Sequence, residues 1–176
     1  KVPGAKSQTN GILTNSATEA LANTERRATT TLERHGPRYP LLDIALDHLT
    51  LARVHLYRTL LDPSKTPPGN PHLQASLDSL RQSNIVLFLP LALLTASHYQ
   101  HLSGDPAAAE RFLTESQQIA ERGPMPLYLA DVHLHRARLF QDKDELAKAR
   151  ALIEKHGYWR RREELVDAEE ASDHWS

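Results

Sequence analysis

Three stretches of the sequence carry side chains whose types and spacing could do chemistry. DVHLH places Asp131, His133 and His135 within one short run. On a helix Asp131 and His135 share a face, while His133 points about 200° away. Aspartate and imidazole can bind zinc or move protons, but two ligands at helical spacing need a third from elsewhere. The run therefore favours packed or solvated histidines over a metal site. His98 and His101 stand three apart and invite the same reading. GYWRRREEL, Gly157 to Leu165, sets three arginines behind a tryptophan, a composition that could grip phosphate or nucleic acid. No HExxH, GxSxG, Walker A or GxGxxG pattern occurs. The carboxylates read as scattered over helix surfaces rather than paired in an apolar setting. No catalytic residue, cofactor site or metal site is expected, and a small hydrolase built on histidines is the weakest reading.

The totals narrow the partners. A chain of 176 residues can bury a continuous core, and 40% hydrophobic with 24% charged residues is ordinary for a globular protein. The net charge of -1 and a pI near 6.9 provide no global field for nucleic acid. Without cysteine there is no disulfide or thiolate site, which fits a reducing, cytoplasmic setting. The longest apolar run, IVLFLPLALL from Ile85 to Leu94, falls well short of the roughly 20 residues that span a bilayer. No signal peptide is read at the start. A first residue of Lys1 rather than methionine suggests a piece of a longer polypeptide, whose remainder would be one partner.

Apolar spacings of three and four, with proline and glycine punctuation, set the elements. Residues 1–15 read as a loose lead-in, and 16–176 as one helical domain. Ser16 and Glu19 match a capping box that opens a helix to about Arg34, stopped by HGP. Helices follow over about 40–61, 72–82, 85–102, 106–122 and 127–141, then one reached through the DKD link and ending near His156, and a last one over about 159–171, with DPSKTPPGNP as the clearest loop. Pro106 suits a helix start and Gly157 a helix stop. No stretch alternates as a strand would.

The chain also repeats itself. Ala96, Tyr99, Ala108 and Phe112 recur as Ala137, Phe140, Ala149 and Ile153, every member displaced by 41 residues. Ala52 and His55 begin a partial third copy that the proline-rich loop interrupts. LARVHLYR (Leu51 to Arg58) matches LADVHLHR (Leu129 to Arg136) at six of eight positions, a competing register for that copy. The pattern has a mechanical sense: small residues let two helices approach, and a large one beside each seals the pair. This order across a helix–turn–helix resembles the tetratricopeptide repeat, well for Ala96 to Arg122 and Ala137 to Gly157, partly for Ala52 to Gln82. Its period exceeds the family's usual length of about 34. The run from PLYLADVHLHRARLF through ARALIEKHGYWRR is also similar to the end of helical arrays in multidomain bacterial signalling NTPases.

The resemblance implies an all-α, right-handed superhelix of antiparallel helix pairs, about eight helices with a C-terminal capping helix. In it GYWRRREEL begins the cap. At helical spacing Trp159, Leu165 and Val166 cover apolar surface, while Arg160, Arg161 and Glu164 face water and Arg160 can pair with Glu164. Arg162 falls in the apolar arc and must extend its charge outward. The first helices of the pairs would line a partner groove through Leu49, Arg53 and Leu56, then Leu93, Ser97 and Gln100, then Leu134, Arg138 and Gln141. The function expected is a non-enzymatic protein-interaction or sensor scaffold in signal transduction, binding a protein or peptide, with self-association through exposed repeat faces a further option. The alternative is a nucleic-acid-associated array using Arg53, Arg138, Arg160, Arg161 and Arg162; the near-cancelling local charge disfavours it.

Overall fold

The computed structural model describes the backbone of residues 5–34, 39–62, 64 and 69–175, and side chains from residue 15 onward. Among the described residues all regular structure is helical: α1 (Ala5–Arg34), α2 (Leu41–Leu61), α3 (Pro71–Gln82), α4 (Leu89–Leu102), α5 (Pro106–Arg122), α6 (Pro126–Phe140), α7 (Lys143–His156) and α8 (Arg162–Ser172). Short 3₁₀ turns at Val86–Phe88 and Trp159–Arg161 lead into α4 and α8. No described helix is long and apolar enough to cross a membrane.

Local chemistry sets the ends. Asn70 and Asp105 accept from the backbone N–H three residues on, at 3.1 and 2.8 Å, and Asp142 accepts from both Asp144 and Glu145. Proline opens α3, α5 and α6, where its missing N–H costs nothing. Gly157 ends α7 at φ 62°, a conformation in which a Cβ is strained. One boundary differs from the sequence reading. The helix containing Ser16 begins at Ala5, so Ser16 is interior, and most of the stretch read as a lead-in is helical. No proline lies between Ala5 and Ser16 to stop the helix from extending backwards past the capping motif. Residues 1–4, the HGP stop and most of the DPSKTPPGNP loop lie outside the described residues.

By packing, the chain forms two compact units, 1–84 and 85–176. In the first, α2 packs against both α1 and α3. Ala45, Leu49, Ala52 and Leu56 of α2 are buried, as are Leu73, Leu77 and Leu80 of α3. Ser76 donates to the Ala45 carbonyl and Asn70 to that of Ala52, contacts that require close backbones and small residues.

In the second unit α4 pairs with α5 and α6 with α7. The repeated small residues sit inside these pairs: Ala96 is 1% exposed, Ala108 6%, and Ala137 and Ala149 0%. Ala130, Leu134, Ala137, Leu146, Ala149, Ile153, Leu165 and Ala168 form one core across α6, α7 and α8. Leu94, Leu113 and Val132 form another across α4, α5 and α6, with Phe140 packed beside it.

Candidate functional site

The polar residues of the sequence reading converge on α6. Its run from Asp131 to Arg138 sends side chains in different directions every 100°, and each finds another helix. Asp131 is only 2% exposed. Arg161, in the turn before α8, donates to its two oxygens at 2.7 and 3.1 Å, and Tyr158 lies 3.4 Å from one of them. Burial pushes the Asp131 carboxyl up, although Arg161 opposes that. His133 turns to Glu145 of α7 at 2.7 Å. Arg136 reaches Glu110 and Gln117 on α5 and Glu145 on α7. His135 bonds to the Asp131 carbonyl at 2.9 Å and meets the ring of His98 on α4 edge-on. Arg138 donates to Asp167 of α8 at 2.9 Å.

Two carboxylates are thus buried, against the expectation that acids lie on helix surfaces. The reason is charge compensation: each has cationic partners on a neighbouring element. Burial alone would raise Glu145, but bonds from His133, Lys148 and Arg136 outweigh it and hold the carboxyl at about 2. Burial lowers His98 to about 4 and His135 to about 3, keeping both imidazoles neutral. Among the described residues no group of three histidines or acids is arranged to hold a metal.

GYWRRREEL is placed differently from its helical projection. Arg161, not Arg160, pairs with Glu164, at 2.8 and 2.9 Å, and it is half-buried rather than facing water. Trp159 is 58% exposed and covers little, while Arg162 lies in the open. The cause is the 3₁₀ turn at Trp159–Arg161, which rotates residues about 120° apart instead of about 100°, so a projection begun at Trp159 runs out of phase. Leu165 is buried as expected, but Val166 is exposed.

The residues assigned to a groove fall into two classes. Leu49, Leu56, Leu93, Ser97 and Leu134 are buried among their own helices, so they are core positions. Arg53 and Gln100 are half-buried, and Arg53 already has an interaction within the chain. Arg138 and Gln141 are exposed. Small shifts in phase decide this split: the apolar members of each first helix turn to its pair, leaving polar ones at the rim.

The Asp131–Arg161 pair was missed by sequence reasoning, although an aspartate between Ala130 and Val132 on an apolar helix face was its signal. A histidine group in the first unit was missed as well; His48 and His55, seven residues apart on one side of α2, were the sign of it. No family model, curated protein or solved structure matches the chain.

Proposed function

We propose that the chain is a non-enzymatic protein-interaction scaffold, built as a tetratricopeptide-like array of helix pairs winding in a right-handed superhelix. The observation that carries this reading is the order of packing in the second unit. The pairs are α4 with α5 and α6 with α7; α6 also packs on both α4 and α5, and α8 on both α6 and α7. Each new first helix therefore rests on both members of the pair before it, which is how a repeat array propagates. The first helices α4, α6 and α8 then form a row, and rows of this kind present extended surface to peptides or partner segments. The polar edge of that row, Gln100, Arg138 and Gln141, is the surface proposed to receive a protein or peptide with acidic groups, with Arg53 serving the first unit. Arginine suits the role because its planar fork holds a carboxylate at two points. A cytoplasmic setting and a signalling role accompany this proposal.

The test is affinity capture from the source cells with wild type and an Arg138→Glu/Gln141→Glu variant, after nuclease treatment. Charge reversal at the exposed edge should remove defined proteins from the captured set, while the circular dichroism melt falls only slightly, because the Arg138–Asp167 bond that it breaks is exposed. Identical capture at equal stability would refute the edge as the binding surface. Capture that disappears with nuclease would favour nucleic acid instead.

A further inference from the structure

Between α2 and α3 three histidines stand together. The Nδ1 atoms of His48 and His72 are 2.9 Å apart, and their ring centroids 5.2 Å. The ring of His55 lies 5.9 Å from that of His72. All three are half-buried. Among the described residues, Glu25 from α1 faces His55 and His72, and Arg58 from α2 pairs with Glu25; His72 is the titratable group of the cluster on α3. Arg58 holds both oxygens of Glu25, at 2.7 and 2.6 Å. The Glu25 carboxylate, which faces His55 and His72, is thus already paired.

We propose that His48, His55 and His72 form a proton-operated clasp that seats the start of α3 on α2 at neutral pH and releases it in mild acid. The proposal rests on counting protons. A contact between two ring nitrogens needs one N–H and one lone pair. Two neutral imidazoles supply these when one carries its proton on Nδ1. One added proton can sit on the donor's far nitrogen and leaves the bond intact, strengthened by charge. A second must occupy the accepting Nδ1, so two N–H groups then face each other where the bond was. The ring of His55 packs beside them.

Burial, and then the neighbouring His48 and His55, hold the His72 imidazole below the ordinary value of 6.5. The sign follows. Released α3 takes up protons near that ordinary value, whereas seated α3 resists them. Seating is thus fully favoured above pH 6.5 and is lost as pH falls towards the seated value. Leu77 and Leu80, further along, stay anchored by burial, so release concerns the first turns, including Leu73 and the Asn70 bond to Ala52.

Amide hydrogen exchange on the full chain between pH 7 and 5, corrected for intrinsic rates, tests the clasp. Residues 71–76 should open roughly tenfold more for each pH unit per proton taken up. In His72→Asn, whose amide can still bond to His48 but does not titrate, the protection of this segment should be nearly flat with pH. In wild type, the imidazole nitrogens of His48 and His72 should show a scalar coupling across their hydrogen bond at pH 7 that disappears at pH 5. Protection in wild type that is unchanged from pH 7 to 5 would overturn the proposal. So would equal loss in His72→Asn, no coupling at pH 7, or protection at pH 7 that a chelator removes, since a metal would then be the clasp.

Discussion

Asp131 shows how far a single residue's neighbours decide its role. It is buried, it takes two bonds from Arg161, and removing that arginine leaves a carboxylate without compensation. Arg161→Ala should destabilise by about 3 kcal/mol. Arg160→Ala, at an exposed position beside it, should change stability by less than about 0.5 kcal/mol. Both tryptophans, Trp159 and Trp175, lie in the second unit, so urea unfolding followed by tryptophan fluorescence reads this contrast directly. Equal effects would mean that the pair is not a buried link. His98 and His135 give a pH dependence. Their folded values near 4 and 3 lie below the ordinary 6.5, so the unfolded chain binds protons first as pH falls. Their contribution is complete above pH 6.5 and shrinks towards pH 4, by up to about 1.4 kcal/mol per histidine for each pH unit. Between pH 6.5 and 5 wild type should lose about 3 kcal/mol more than a His98→Gln/His135→Gln variant in the same assay. A parallel decline in both proteins would contradict neutral burial.

At the scale of elements, the sequence was most readable where the signal was periodic. The helix starts at Pro106 and the stop at Gly157 could be read because proline and glycine restrict the backbone directly. The displaced pair of motifs identified which helices pair, since small residues at fixed spacing are what close approach requires. Groove residues were less readable: a leucine on a first helix looks the same in sequence whether it faces its partner helix or an open surface. The arginine run was misread for a local reason, a 3₁₀ turn at Trp159–Arg161 that puts these residues out of phase with α8. The long-range pairs, Asp131 with Arg161 and His48 with His72, join separate elements, so the sequence marks one member of each pair but not its partner. The repeat has a direct mechanical test. Ala137→Leu or Ala149→Leu adds bulk where two helices meet with no exposed area and should cost roughly 1–3 kcal/mol. Ala147→Leu, exposed on the same helix as Ala149, should cost almost nothing. If all three melt alike by circular dichroism, the alanines are not the contact points of the repeat.

At the scale of the molecule, the second unit has the parts of a self-sufficient fold: paired helices, shared cores and a central helix tied by polar bonds to α5, α7, α8 and the turn before α8, and by a ring contact to α4. Residues 85–176 expressed alone should therefore be helical and melt cooperatively; a gradual, featureless melt would show that its cores are insufficient. The row of first helices is proposed to receive a protein partner. The most direct test places a benzophenone-bearing amino acid at Gln100, half-buried on α4, or at Ala147, exposed on the second helix of its pair, followed by irradiation in the source cells. A discrete crosslinked protein is expected from position 100, weakened by Arg138→Glu, and none in common from position 147. The same adducts from both positions, or a crosslink at 100 indifferent to Arg138→Glu, would contradict the proposal.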